Sequence, residues 1–349
     1  MIKKPPLGIS LARTFGGDIC ETRVKQAADA MVSLGLRDAG YEYLLIGDAL
    51  FAPRRDRATG ALLVNGEKFP SGIMALTDYV HGLGLKLGIT TSAGAATSTG
   101  APGCLDHEYD DVAMFADWGI DMISHDCVNM PPKSNEQTLL RRMGMAIRAV
   151  GGNILYSAFS TDEKLHVWIR SAGANAYCDR VIGNAAGVTP PPAATYGYSA
   201  DYCWHNCGEI VLGDASALRK QLILCAMMSS PIIVDCDVAS LSESDVAPLK
   251  CKSVLTVSQD EDGRPARIYS DGVYVKYLEN AEYAVAFINQ TDEEKKLDFY
   301  AHDFGITWNA GYALEFKGIC GTDATTEFDA MTSVTVPAND AVLYKLSLV

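Results

Sequence analysis

The chain has 349 residues, 48% hydrophobic and 21% charged, the balance of an ordinary globular protein with room for one large α/β domain and a smaller one. Its 29 basic and 43 acidic residues give a formal charge of −14, which argues against nucleic acid and anionic membrane surfaces as partners and suits a neutral small substrate. No stretch reaches the roughly 18 apolar residues of a membrane span, and Met1-Ile2-Lys3-Lys4-Pro5-Pro6 lacks the apolar run of an export signal, so the ten scattered cysteines are expected as reduced thiols in a cytoplasm.

Strands and helices alternate from the N-terminus. Leu7–Leu11 reads as a short strand, and a helix follows from Glu21 to Leu34 with Ala27, Ala28, Met31 and Val32 on its apolar side. Tyr41–Asp48 is a continuous apolar run ending in an acid, the pattern of a strand buried on both faces. Ala52–Pro70 reads as an exposed loop. Ser71–Leu83 is the next helix, with Ser71 as its expected cap and Gly84 as its stop. Lys86–Thr91 is the third strand. A helix over Leu105–Trp118 leads to Met122–Asp126, the fourth, and another helix covers Gln137–Val150. Asn153–Ala158, Ala176–Ile182, Trp204–Ile210 and Pro231–Asp237 complete the series, the last preceded by a helix over Ala215–Met228. Eight strand–helix units predict a closed (β/α)8 TIM barrel. The Pro-, Gly- and Ala-rich stretch Asn184–Tyr202 has no helical period and is expected as a long loop over the barrel mouth.

After about Ser258 the pattern changes to short runs separated by turns: Arg267–Tyr269, Val273–Tyr277, Tyr283–Phe287, Leu297–Phe299 and Ala341–Leu346, with hairpin signals at Asp271-Gly272 and Asn280-Ala281. The reading is an α/β barrel over residues 1–257 followed by an antiparallel β-sandwich over 258–349. Within the barrel, Asp126 is an acid at the C-terminal end of a buried strand, where parallel α/β proteins put their chemistry. An acid there is equally consistent with a cap on the next element.

Ordered motifs run through the first 130 residues: Pro5-Pro6-Leu7-Gly8, Asp38–Tyr43, Ala52-Pro53-Arg54-Arg55-Asp56, Phe69-Pro70-Ser71-Gly72, Asp78-Tyr79-Val80-His81 and Gly84–Ile89. Gly94, Thr97, Gly100, Pro102-Gly103, His107-Glu108 and Phe115–Gly119 continue the series, and Gln259-Asp260 supports it further on. In these the chain closely resembles glycoside hydrolase family 27, the α-galactosidases and α-N-acetylgalactosaminidases. The resemblance implies a (β/α)8 barrel with a C-terminal β-sandwich. It also implies a retaining α-glycosidase that works with two aspartates on a small carbohydrate or glycoside, with no cofactor and no metal.

Asp126 matches the family nucleophile, but the lysine two residues before it is Ser124 here. The family's Asp-Asp-Cys-Trp reads Gly47-Asp48-Ala49-Leu50, its Gly-Ile-Tyr-x-Asp reads Gly88-Ile89-Thr90-Thr91-Ser92, and its Trp-Asn-Asp-Pro-Asp reads Trp204-His205-Asn206-Cys207-Gly208. The Trp-rich first strand is Ile9-Ser10-Leu11. The family acid/base follows a Trp-Arg pair. Aligning Ala174-Asn175 to that pair puts Asp179 in the role, whereas aligning Tyr177-Cys178 puts Ile182 there. The resemblance thus implies catalysis by Asp126 and Asp179. Asp48, Ser124, His125, Cys178, Trp204, His205 and Asn206 are the expected substrate contacts, in a sugar pocket remodelled relative to the family.

Cys203-x-His205-x-Cys207, with His125, Cys127 and Cys178 on other strand ends, could gather soft ligands at the mouth but lacks the spacing of a zinc motif. Asp235 and Asp237 could face the same mouth. Two other readings stand beside the hydrolase: a non-catalytic carbohydrate-binding protein on the same scaffold, and an enzyme of other chemistry using the Cys and His side chains.

Overall fold

The apolar runs form β1 (Leu7–Ser10), β2 (Tyr43–Leu45), β3 (Lys86–Ser92), β4 (Met122–Asp126), β5 (Leu155–Ser160), β6 (Ala176–Asp179), β7 (Trp204–His205), β8 (Ile210–Val211) and β9 (Ile232–Asp235). They lie in one sheet in the order β7-β6-β5-β4-β3-β2-β1-β9-β8. The structure, a computed structural model, describes residues 4–162, 164–179, 188, 199, 202–304, 314–322, 325–327 and 331–348. All its pairings in this sheet are parallel. The strand expected over Trp204–Ile210 is broken: β7 pairs with β6, β8 pairs with β9, and residues 206–209 lie between. The two halves occupy one barrel position and close the sheet into the (β/α)8 form.

The helices are α1 (Ala12–Phe15), α2 (Glu21–Ser33), α3 (Ile73–Gly82), α4 (Glu108–Asp117), α5 (Glu136–Ala149), α6 (Leu165–Trp168), α7 (Ala215–Met227), α8 (Glu243–Val246) and α9 (Lys252–Ser258). Side chains cap two of the long ones: Asn135 accepts from Thr138 N–H at the start of α5, and Asp214 from Ser216 and Ala217 N–H at the start of α7. Ser71 does not cap α3. Gly72 holds that position with φ 79°, and the Ser71 N–H instead donates to Glu21 on α2.

Alternation along the strands divides the interior into two layers. Tyr43, Leu45, Met122, Leu155 and Ile233 fill the barrel floor. The intervening positions, among them Ile9, Leu44, Ile89 and Ile123, face outward and are buried under the helices. Fully burying a side chain of this size contributes roughly 1.5–3 kcal/mol. The matched motifs stiffen the rim. Arg55 forks onto Asp111 at 2.7 and 2.6 Å and donates to the Gly103 carbonyl at 2.7 Å. Gly103 is glycine because a Cβ there would stand 2.1 Å from the Gly94 carbonyl oxygen, and one at Gly94 would stand 2.0 Å from that of Val128.

The remaining strands are β10 (Arg267–Ser270), β11 (Val273–Leu278), β12 (Glu282–Ile288), β13 (Lys295–Tyr300), β14 (Leu314–Cys320), β15 (Thr325–Glu327), β16 (Met331–Val336) and β17 (Ala341–Leu348). They form an antiparallel six-stranded sheet, β10-β11-β12-β17-β14-β15, and a β13-β16 pair. Val275, Phe287, Phe299, Phe316 and Val336 fill the core between the two. The other face of the larger sheet is also buried. Tyr274, Ala284, Ala286 and Leu343 join the core of the barrel. Lys276, wholly buried, donates to the carbonyls of Ala226 and Val257 and to the Ser229 hydroxyl at 2.7 to 2.9 Å.

Candidate active site

The site is built by register. Thr90, Ser124, Ser157, Ala176 and Trp204 are successive partners across β3 to β7, and this row faces into the barrel. One residue on, Thr91, His125, Ala158, Tyr177 and His205 form the neighbouring row, which must face out. Ser92 and Asp126 are partners at the next inward level.

At the C-terminal ends of the strands lies a cavity of about 220 Å³, bordered by Arg13, Asp48, Ser124, Asp126, Phe159 and Glu209, with Thr90, Ser98 and Thr99 adding hydroxyls. Asp48 is buried and held from the loop after β3, accepting from Thr99 Oγ1 at 3.0 Å, Thr99 N–H at 3.3 Å and Ser98 Oγ at 3.4 Å. Asp126 accepts from the Cys127 N–H at 2.6 Å, and its own carbonyl accepts from Ala93 N–H at 2.7 Å. Both ends of the residue are therefore fixed on rigid strand. Arg13 Nε stands 3.3 Å from Glu209 Oε2. Asp235 accepts from Ser10 Oγ at 2.8 Å, Arg13 N–H at 3.0 Å and Thr14 Oγ1 at 2.5 Å, pinning α1 to the end of β9. Burial, reinforced by Asp235 and opposed by Arg13, pushes the Glu209 carboxyl up to about 7.

Three of the sequence-predicted residues, Asp48, Ser124 and Asp126, come together here. His125 and His205 do not. His125 is wholly buried on the outer row, its Nδ1 2.7 Å from Thr91 Oγ1 and its ring 6.1 Å from Tyr156. His205 packs its ring 4.8 Å from that of Tyr177. Burial pushes both imidazoles down, to about 3 and about 4, and neither His is among the residues bordering the cavity. Trp204 and Cys178 are on the inward face but fully buried, off the cavity wall. Asn206 lies in the strand break and is also buried, its Oδ1 accepting from the Gly208 N–H at 3.0 Å. Asp179 ends β6 as the partner of Ser160; its side chain is outside what the structure describes, as are Ile182 and nearly all of the 184–202 loop. Among the described residues no three His, Cys, Asp or Glu side chains are gathered to hold a metal ion.

Sequence reasoning missed Arg13, Phe159 and Glu209. Arg13 sits three residues past Ser10 in the turn of α1, and Glu209 follows Gly208, a glycine inside the apolar run that was the available sign that the strand stops there and that takes φ 109° in the structure.

The sequence model for alpha galactosidase A matches residues 14–176. An alpha-galactosidase A of Cellvibrio japonicus is 30% identical over 388 residues, covering 99% of this chain and 93% of its own. The alpha-galactosidase of Cyamopsis tetragonoloba is 30% identical over 320 residues, covering 86% and 76%. Among solved structures, the Saccharomyces cerevisiae α-galactosidase with raffinose superposes with a TM-score of 0.87 at 19% identity, over 99% of this chain and 98% of that one.

Proposed function

The chain belongs to the α-galactosidase-like family 27 of glycoside hydrolases, and from that premise we propose that this glycosidase cleaves a small glycoside with retention, using Asp126 as nucleophile and a sugar preference shifted from that of its relatives. One observation carries the reading: Asp126 shares a single cavity, at the C-terminal ends of the barrel strands, with Asp48 and Ser124. In the first step an Asp126 oxygen attacks the anomeric carbon, the bond to the aglycone oxygen breaks, and a second carboxyl gives that oxygen its proton. In the second, water attacks the same carbon, loses its proton to the second carboxyl and releases Asp126. Asp179 is the candidate that alignment to the family offers for the second carboxyl. Carboxyls and water suffice for both steps, so we propose no metal or cofactor.

The shift in preference is supported by what surrounds Asp126. Gly47 has no carboxylate to offer beside Asp48, Leu50 is wholly buried, and Ser124 supplies a hydroxyl where the family pattern has a cation. A cavity of about 220 Å³ suits one sugar ring. Ten cysteines without a disulfide among the described residues support a reducing cytoplasm as the place of action.

The test is a panel of 4-nitrophenyl glycosides with the anomeric configuration of the first product followed by NMR. The reading expects one sugar to be cleaved with retention and Asp126→Asn to abolish it; inversion, or an active Asp126→Asn enzyme, contradicts it.

A further inference from the structure

The geometry points to Glu209 as the second carboxyl of the reaction. The inference rests on the retaining reading, with Asp126 as its nucleophile. Glu209 is the residue that the break in the seventh barrel strand exposes to the mouth: β7 ends at His205, β8 begins at Ile210, and the turn between them presents Glu209 to the cavity that Asp126 also borders. Among the described residues it is the remaining carboxyl on the cavity wall once Asp126 and Asp48 are accounted for, and Asp48 is committed to Ser98 and Thr99.

The surroundings fit an acid that must also act as a base. The side chain is 24% exposed, enough to meet a leaving group and too little for full hydration. The charged groups facing it are Arg13 at 3.3 Å, Asp235 on β9, and Asp126 and Asp48 on the cavity wall. Burial, reinforced by Asp235 and opposed by Arg13, brings the carboxyl to about 7, the condition in which general acid and general base forms are both accessible near neutral pH. Asp126 attacks and Glu209 handles the proton, so the two carboxyls take opposite roles.

In the first step the Glu209 proton passes to the glycosidic oxygen as its bond to the anomeric carbon breaks and the Asp126 ester forms. In the second, the Glu209 carboxylate takes a proton from water as the water oxygen bonds to the anomeric carbon and the ester bond breaks. Both carboxyls return to their starting states.

The experiment compares Glu209→Ala, Glu209→Gln, Asp179→Ala and Asp126→Ala on two glycosides of the cleaved sugar, one with a 2,4-dinitrophenyl and one with a methyl leaving group. General acid catalysis contributes typically 10²–10⁴-fold. Glu209→Ala and Glu209→Gln are therefore expected to lose at least about 100-fold in kcat/KM on the methyl glycoside and little on the dinitrophenyl one. Azide should accelerate Glu209→Ala and yield a glycosyl azide of retained configuration, a signature that a structural role does not produce. The same leaving-group split and azide product from Asp179→Ala, with both Glu209 variants like wild type, would overturn the inference. So would an equal loss on both substrates in the isosteric Glu209→Gln. Asp126→Ala separates the premise: an inactive Asp126→Ala beside normal Glu209 variants sinks this inference alone, and an active Asp126→Ala sinks the retaining reading beneath it.

Discussion

The guanidinium of Arg13 lies 3.3 Å from the carboxylate of Glu209, tying the turn after the first barrel strand to the break in the seventh. The pair spans the seam where the barrel closes, and it holds the Glu209 carboxyl lower than burial and Asp235 alone would put it. Arg13→Met keeps the aliphatic stem and removes the cation, so the Glu209 pKa should rise. A protonated acid then persists to higher pH, and the alkaline limb of the kcat/KM profile should move up by as much as about one pH unit. An alkaline limb that stays put, or moves down, contradicts this.

Ordinary α-galactosides should be poor substrates. A charge-assisted hydrogen bond is worth roughly 1.5–3 kcal/mol, and the carboxylate at Gly47 and the cation at Ser124 are both missing from the cavity wall. Turnover of 4-nitrophenyl α-galactoside should fall below the ~10 per second of a median enzyme. Measured turnover at or above that value would show that Arg13, Thr99 or another wall group compensates. Reinstating an acid at position 47 is not expected to help, because Gly47 has φ 71° and a Cβ there would stand 3.1 Å from the Ala12 Cβ.

Most of the scaffold was legible in the sequence for a simple reason. Runs such as Tyr43–Ile46 and Pro231–Val234 are buried on both faces, and a strand of that kind writes itself as uninterrupted apolar residues. The seventh position was misread as continuous because Trp204, His205, Cys207 and Ile210 are all buried, while the break is made by Asn206 and Gly208. Sandwich strands β14, β15 and β16 escaped notice as well. Met331–Val336 alternates with Thr and Ser, and Leu314–Cys320 shifts register between Gly318 and Cys320. Within the site, Asp126 and Asp48 were readable as acids ending apolar runs. His125 and His205 could have been excluded by period-two counting from Ser124 and Trp204, because adjacent residues on a strand face opposite sides.

Lys276 should make stability rise on the alkaline side of neutrality. Burial pushes its amine down to about 7, against an unfolded value near 10.5. Between those pH values the unfolded chain binds the proton and the folded one does not, so the wild type gains stability as pH rises through that window. The Tm of wild type minus that of Lys276→Met should therefore rise, as a signed quantity, from pH 7 to about 9.5. A signed difference that stays flat or falls would contradict the lowered pKa of the buried amine.

Cys251 should be among the first of the ten cysteines to alkylate at pH 7. The Cys320 thiol, with its sulfur 3.9 Å away, and the N–H groups of Val254 and Ser253 stabilise the Cys251 thiolate and bring its pKa down to about 6. Burial instead holds Cys203, Cys207 and Cys236 at about 11 to 12. Iodoacetamide labelling followed by peptide mass spectrometry should show Cys251 labelled well before these three; the opposite order would contradict the assignment.

Asp126 is expected to form the covalent bond to sugar. Its most direct test is to trap that species with a 2-deoxy-2-fluoro glycoside of the cleaved sugar and to sequence the modified peptide by mass spectrometry. One sugar per chain is expected, esterified to Asp126 on the peptide that carries Ser124 and Cys127. A sugar on Glu209 or Asp179, or time-dependent inactivation that leaves Asp126 unmodified, would contradict it.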